Sequence, residues 1–266
     1  MANVSMITKG RECVRGKSVL LFSGGMDSVI FDKLLEPDIL LYIPTGAVYE
    51  EIETYKIKQL VEKDFINGDK LVYVPSVLNL TDFERDDAIV PNRNAFLMLV
   101  ASMYGETLYL GSVWGDRSTD KDETFYKHMT TLLDHMWQEQ HWTEERKFTI
   151  SSPYKNTTKT ELVKEYIEKG FDPKSIIESY SCYEGKEPVC GWCKPCFRKW
   201  VSLVNNNIPI PKDYYVNNPA EAPWLPELLP SIKDNTYRGK EDNDILNALN
   251  LGKESYPLPR ALISTF

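Results

Sequence analysis

Two hydrophobic periodicities alternate through the first two-thirds of the chain. Short apolar runs typical of buried strands occur at residues 19–22, 38–44, 70–74, 107–110 and 148–151. Between these runs, apolar residues recur every three or four positions, which predicts helices at residues 28–35, 50–64, 94–104, 123–140 and 160–169. Repeated strand–helix units predict an α/β fold in which a doubly wound parallel sheet carries helices on both faces.

The pattern changes after Trp200. Asparagines at 205–207 and a series of prolines predict an irregular arm, interrupted by one short helix at about residues 242–249. Large apolar residues in the arm indicate that it packs on the core or on a second subunit. These changes divide the chain into an α/β domain (1–178), a cysteine-rich motif (179–204) and a proline-rich C-terminal arm (205–266).

The turn after the first predicted strand has the composition of an anion site. Glycines at its centre allow a tight turn and a close backbone approach that a Cβ would resist. Their N–H groups, with the free N–H groups of the helix start, can converge on a phosphate-sized anion. No Gly-Lys-Ser/Thr string follows, so the turn is not a Walker A loop. The candidate residues are Phe22, Ser23, Gly24, Gly25, Met26, Asp27 and Ser28.

Composition and charge narrow the class of protein. The chain has 266 residues, of which 42% are hydrophobic, as in globular proteins. A net charge of -8 argues against broad electrostatic binding to nucleic acids or acidic lipids. No apolar run approaches the length of a membrane span, and the first 18 residues lack the apolar stretch of a secretory signal. We therefore expect a cytoplasmic protein, in which clustered cysteines favour a metal over disulfides.

Four of the five cysteines fall within fifteen residues, at Cys182, Cys190, Cys193 and Cys196. Two overlapping Cys-x-x-Cys steps bring three thiolates around one point, and Cys182 can complete a tetrahedron. Four thiolates fill every position of a zinc ion, so the predicted site is structural and holds no reactive water. An iron–sulfur cluster is the alternative, because its cysteine runs look similar.

Three strings together resemble a known family. Ser-Gly-Gly-x-Asp-Ser at 23–28 resembles the pyrophosphate loop of the PP-loop ATP pyrophosphatases, which split ATP between its α- and β-phosphates. Val-Pro-Asn-Arg-Asn at 90–94 and the string from Ser181 to Cys196 narrow the resemblance to the 7-cyano-7-deazaguanine synthases, the QueC family. The resemblance covers residues 18–200, roughly two-thirds of the chain.

The resemblance implies an adenine-nucleotide α-hydrolase-like fold with a zinc knuckle, and the activity of a carbon–nitrogen ligase. The family converts 7-carboxy-7-deazaguanine, ammonia and ATP into a nitrile, by way of an amide, for queuosine biosynthesis. The expected cofactors are ATP, Mg²⁺ and one structural Zn²⁺ per chain. The expected assembly is a homodimer, with no membrane contact and no nucleic-acid partner. Whether ATP yields AMP and pyrophosphate or ADP and phosphate, and where the ammonia comes from, stays open.

The resemblance also implies roles for single residues. Residues 22–28 would cradle the phosphates of ATP, and Asp27 would hold the loop or the metal ion. Arg93 is the candidate phosphate clamp, since a guanidinium pairs bidentately with phosphate oxygens. Lys159 matches a family lysine at the start of a helix. Arg198, which follows the last cysteine, would either contact the substrate or brace the knuckle.

Two strings depart from the family pattern. Residues 43–50 read IPTGAVYE, where the family has a Tyr-Gly-Gln-Arg-His-like string, and residues 111–125 lack its Tyr-Pro-Asp-Cys-Arg stretch. The chain also continues beyond the usual family end. The nucleotide chemistry is therefore predicted to be retained, while the acceptor can differ. The alternatives are a ligase acting on a nucleic-acid base or a protein carboxylate, as in a phage modification or defence system, and a non-catalytic nucleotide-binding module.

Overall fold

The computed structural model describes residues 15–74, 79–86, 89–116 and 118–255. Cys13, Arg117 and the end of the predicted arm, 256–266, lie outside the described residues. The described chain contains a parallel sheet of five strands in the order β3-β2-β1-β4-β5. The strands are β1 (Ser18–Leu21), β2 (Ile39–Tyr42), β3 (Leu71–Tyr73), β4 (Thr107–Tyr109) and β5 (Thr149–Ser151). All five predicted strands are thus confirmed.

Helices connect the strands and continue beyond them. In chain order they are α1 (Met26–Leu35), α2 (Glu50–Glu62), α3 (Arg93–Ala101), α4 (Glu123–Met136), α5 (Lys159–Glu168), α6 (Lys174–Glu178), α7 (Lys194–Asn205), α8 (Leu225–Lys233) and α9 (Lys240–Ser255). Helix α1 begins two residues before the predicted start, which places Asp27 in its first turn. Among the described residues, no helix is both long and apolar enough to cross a membrane.

Helices cover both faces of the sheet, and the side chains of each strand point alternately to one face and to the other. Leu20 and Leu40 point to one face, where they join the apolar residues of α1, α2 and α5. Val19 and Leu41 point to the other face, against α3 and α4. These two layers of helices confirm the predicted doubly wound α/β architecture.

The stretch after residue 205 differs from the predicted irregular arm. It contains two helices, α8 and α9, where the prediction had one short helix. Pro226 is compatible with α8 because it lies at the helix start, where its missing N–H is not needed, and α8 also accommodates Pro230 in its interior. Helix α9 packs on α7, which the prediction also missed, and α8 packs on α9, in an apolar cluster that includes Phe197, Trp200, Ile232 and Ile245.

Candidate functional site

The glycine turn lies at the carboxyl end of β1, the strand from which the sheet runs in both directions, where open α/β sheets bind their ligands. Gly24 has φ +68°, and a Cβ there would be 2.7 Å from Ile57 Cγ1. Gly25 forms the N-cap of α1 and has no side-chain cap. Apart from Met26 N, which donates to Ser181 Oγ, the N–H groups of this helix start remain available to an anion.

The serines of the turn form hydrogen bonds within it, whereas its apolar side chains point into the core. Ser23 Oγ accepts a hydrogen bond from Gly25 N at 3.4 Å, whereas Ser28 Oγ donates to Gly25 O at 2.9 Å. Phe22 and Met26 are buried, and Met26 Sδ accepts from the Ser202 hydroxyl of α7. Ser28 therefore stabilises the turn, and Phe22 and Met26 anchor it to the core.

A cavity of about 710 Å³ opens from the turn. All the turn residues except Gly24 line it, together with the starts of α3, α5 and α7 and residues 180–183. Its charged lining comprises the acids Asp27, Glu53 and Asp116 and the bases Arg93, Lys121, Lys159, Lys194, Arg198, Lys199 and Arg238. An acidic protein thus places an excess of positive charge in one cavity, which favours a polyanionic ligand.

Two of the predicted catalytic residues meet in this cavity. Lys159 Nζ, at the start of α5, forms an ion pair with Asp27 Oδ2 in the first turn of α1. The two residues are 132 positions apart in the chain. Asp27 Oδ1 is buried and has no hydrogen-bond partner among the described residues. This pair places a cation and an unsatisfied carboxylate oxygen directly beside the anion site.

The third predicted catalytic residue, Arg93, lies at the start of α3 and lines the same cavity. Its guanidinium donates to the Tyr49 hydroxyl at 2.8 Å, and the Tyr49 ring stacks on Tyr183 with centroids 6.0 Å apart. Glu53, one helical turn beyond Tyr49, lines this cavity as well. Burial raises the pKa of Glu53 to about 8, although the Arg93 charge acts in the opposite direction. Arg93 therefore belongs to a wall of aromatic rings and one carboxyl group.

Arg198 has its donors engaged by the protein. Its guanidinium donates to Glu241 at 2.6 and 2.8 Å, to Asp116 at 2.7 Å and to Trp114 O at 2.9 Å. Burial alone would raise the pKa of the Asp116 carboxyl. The positive charges of Lys121 and Arg198 outweigh burial and hold that pKa well below its usual range. The contacts favour the bracing role for Arg198 over substrate contact.

The four clustered cysteines converge as their spacing predicts. Their Sγ atoms all lie within 4.8 Å of one another, and three of the residues are buried. Gly191 has φ +85°, and a Cβ there would be 2.0 Å from Asn217 O, so this turn requires glycine. Backbone N–H groups point at the sulfurs, as from Cys193 N to Cys190 Sγ at 3.3 Å. The donor set is that of a four-coordinate thiolate metal site.

The cysteine cluster also supports the glycine turn. Tyr180 N donates to Gly24 O at 3.0 Å, and Met26 N donates to Ser181 Oγ at 3.5 Å. Cys182 follows directly and lines the cavity. The metal motif and the anion site are therefore joined by backbone hydrogen bonds.

Comparison with known proteins agrees with this architecture. The family described as "Queuosine biosynthesis protein QueC" matches residues 45–207, more than half of the chain. The chain belongs to the QueC family. The 7-cyano-7-deazaguanine synthase of Pseudoalteromonas translucida is 27% identical, over 74% of this chain and 98% of that protein. The Chlorobaculum parvum 7-cyano-7-deazaguanine synthase is 26% identical over 75% and 97%.

Among solved structures, the U34-tRNA thiolase NcsA from Methanococcus maripaludis with its [4Fe-4S] cluster is 17% identical. The alignment covers 88% of this chain and 73% of that one, with a TM-score of 0.36.

Several cavity residues were not predicted from the sequence. They are Tyr49, Glu53, Lys194, Lys199 and Arg238. Lys199 is buried and donates to Ser179 O and the Tyr214 hydroxyl, each at 2.7 Å, and burial lowers its pKa to about 7. The sequence offers one signal for Lys199. It lies between Arg198 and Trp200, two large side chains on an amphipathic helix. Glu53 had no such signal, because acidic residues flank it on a helix with many charges.

Proposed function

We propose that this QueC-family chain is an ATP-dependent carbon–nitrogen ligase of the 7-cyano-7-deazaguanine synthase type. The observation that carries the proposal is the shared cavity, which combines the uncapped glycine turn, an excess of basic residues and an aromatic wall. The names of its relatives supply the reaction. The turn suits a triphosphate, and the wall offers a surface for a flat heterocycle.

The loop from Phe22 to Ser28 would bind the phosphates of ATP, with Lys159 beside them. The free oxygen of Asp27 fits a hard cation, since a buried carboxylate oxygen without a partner is costly and Mg²⁺ prefers oxygen ligands. Mg²⁺ held there would neutralise phosphate charge. Lys159 would stabilise the negative charge that develops on the transferred group.

The reaction replaces the oxygens of a carboxylate by one nitrogen. A carboxylate resists ammonia because it is anionic and lacks a leaving group. Transfer of an adenylyl or phosphoryl group from ATP to one oxygen supplies that leaving group. Ammonia adds to the carbon, loses a proton and displaces the activated oxygen, which leaves an amide. Activation of the amide oxygen by a second ATP, then loss of that oxygen and two N–H protons, leaves the nitrile. The cavity contributes by positioning the two reactants.

The wall of Tyr49, Glu53, Arg93 and Tyr183 would bind the heterocycle. Aromatic rings stack on the face of a base, and the carbonyl oxygen of a carboxyl group accepts hydrogen bonds from N–H groups at its edge. Tyr49 belongs to the 43–50 string that departs from the family pattern, so this chain would use different side chains for the same task.

The four cysteines would bind one Zn²⁺ in a structural role. Their thiolates fill four positions, so no open position remains for a substrate. Metal analysis of the purified protein would give about one zinc per chain. The visible absorption and iron content of an iron–sulfur cluster would identify the alternative metal.

One assay tests the function. The purified protein is incubated with ATP, Mg²⁺, an ammonium salt and 7-carboxy-7-deazaguanine, and both the base and the nucleotide are followed by mass spectrometry. The proposal expects amide and nitrile, both dependent on ATP and ammonium. AMP or ADP among the products identifies the group transferred. Absence of any change in the base would refute the proposed reaction.

A different acceptor is the second candidate, and one observation favours it. Val48 and Ile89 are 73% and 55% exposed, Ile89 lines the cavity, and Val48 lies in the departing 43–50 string. Exposed apolar side chains at the cavity and in the departing string suit an acceptor larger than a free base. Nucleotide turnover that needs a nucleic acid or a protein in place of the free base would identify this function.

A further inference from the structure

The C-terminal segment of the described chain, residues 208–255, has no counterpart in the family match. That match ends at residue 207. The P. translucida relative is matched over 98% of its length by only 74% of this chain. Nevertheless, the segment packs on α7, the helix that follows the cysteine cluster, through Ile232, Ile245 and Ala248. It is therefore built into the fold next to the site.

The C-terminal segment also contacts the loop after β4. Trp114 Nε1 donates to Arg238 O at 2.7 Å, and the Arg238 guanidinium donates to Gly115 O. Gly115 has φ +85°, and a Cβ there would be 2.0 Å from Glu241 Oε2. This loop begins the 111–125 string, which departs from the family pattern. The C-terminal segment and the departing loop after β4 are therefore in direct contact.

Arg238 and Lys194 bring two positive charges to this end of the cavity. Both line the cavity, and both approach the ring of Tyr237, with Arg238 Cζ at 5.1 Å and Lys194 Nζ at 5.7 Å from its centroid. Lys194 Nζ also lies 3.2 Å from the Trp224 centroid. In the described part of the chain, no carboxylate lies within ion-pair distance of either side chain, and the pKa of Lys194 is lowered by burial and, to a smaller extent, by the charge of Arg238.

Two other basic residues of the cavity are already held by carboxylates. Lys159 is paired with Asp27, and Arg198 with Asp116 and Glu241. Two neighbouring cations that share no carboxylate repel each other, and an anion placed between them relieves that repulsion. The geometry therefore favours an oxyanion at Arg238 and Lys194, separate from the phosphates at the glycine turn.

We propose that Arg238 and Lys194 form an acceptor-side oxyanion site, supplied in part by the C-terminal segment, that binds the carboxylate to be activated. This inference rests on the proposed function. A guanidinium binds a carboxylate through two parallel hydrogen bonds. These bonds fix the orientation in which a carboxylate oxygen attacks ATP. Arg238 is then a specificity-determining residue, and the C-terminal segment is part of the active site.

Kinetics of Arg238→Met test the site. Removal of a charge-assisted contact raises KM for the carboxylate substrate about thirty-fold, while KM for ATP changes less than two-fold. Arg238→Lys restores part of the affinity, because it keeps the charge but loses the paired geometry. Lys233→Met, on the exposed surface of α8, is the matched control and leaves both constants unchanged. A larger effect on ATP than on the carboxylate would overturn the proposal.

A binding measurement tests the oxyanion site independently of the reaction that the protein catalyses. Crystals carrying a non-hydrolysable ATP analogue are soaked with selenate, whose anomalous signal locates the oxyanion. We expect density between Lys194 and Arg238, lost in Arg238→Met. Selenate that does not bind there while the analogue fills the glycine turn contradicts the site. Failure to form a nitrile, with selenate at this position, refutes the proposed function alone.

Discussion

Asp27 and Lys159 illustrate how single residues acquire a role that neither has in the sequence. Each begins a helix, and each alone matches an ordinary charge at a helix end. Their ion pair depends on α1 and α5 lying side by side on one face of the sheet. The family resemblance implied both residues as catalytic candidates, but only the fold brings them together beside the turn.

Lys159→Met is expected to lower kcat for ATP turnover by about a hundred-fold. The substitution removes a positive charge that would stabilise the transferred phosphate, and such losses cost about two to three orders of magnitude. Steady-state kinetics and the ATP dissociation constant measure it. Lys164→Met, on the exposed side of the same helix, is the control. Equal activity of the two variants would exclude Lys159 from catalysis.

Glu53→Gln is expected to stabilise the protein increasingly as pH rises from about 5 to 8. The pKa of Glu53 is raised to about 8 by burial, so the folded state holds a proton that the unfolded state has lost above its ordinary pKa. The wild type therefore loses stability over this range, whereas the amide does not. Urea unfolding at several pH values should show a difference of about 4 kcal/mol at pH 8. A difference independent of pH would contradict the buried carboxyl.

At the scale of elements, the strands and helices with regular hydrophobic periodicity were predicted, whereas helices in the proline-containing stretches were missed. The five strands were found because a sheet buried on both faces needs continuous apolar runs. Helix α7 was missed because its start, Lys194 and Pro195, lies inside the cysteine string, which was interpreted as a metal knuckle alone. Helix α8 was missed because Pro226 and Pro230 were taken as helix breakers. Pro195 and Pro226 lie at helix starts, where a missing N–H is tolerated, whereas Pro230 lies inside α8.

Cys190→Ser is expected to weaken both folding and ATP binding. Loss of one thiolate would remove the metal proposed at the four cysteines, and the chain just before Cys182 holds the glycine turn through the hydrogen bond from Tyr180 N to Gly24 O. We expect metal content near zero, a thermal midpoint lowered by at least 5 °C and a several-fold weaker ATP dissociation constant. Cys13→Ser is the control, since Cys13 is not among the four ligands. Full metal content in Cys190→Ser would contradict the four-cysteine site.

At the scale of the whole molecule, the predicted and unpredicted parts of the site have different origins. The glycine turn and the cysteines were predictable because each is a local string whose chemistry depends on neighbouring residues. Tyr49, Glu53 and Arg238 were not, because each reaches the cavity only after elements distant in the chain have packed. Arg238 depends on α9 lying against α7 and the β4 loop.

Glu241 tests whether the C-terminal segment and the α/β core unfold as one unit. Its carboxylate accepts two hydrogen bonds from buried Arg198, so Glu241→Ala leaves a buried charge with fewer partners and should cost about 3 kcal/mol. Glu241→Gln keeps one acceptor and should cost less. Urea unfolding followed by tryptophan fluorescence and by circular dichroism measures both variants against Glu227→Ala, an exposed control. If the segment is part of the cooperative unit, both probes shift together to lower urea. A shift confined to fluorescence would mean that α8 and α9 detach while the sheet stays folded.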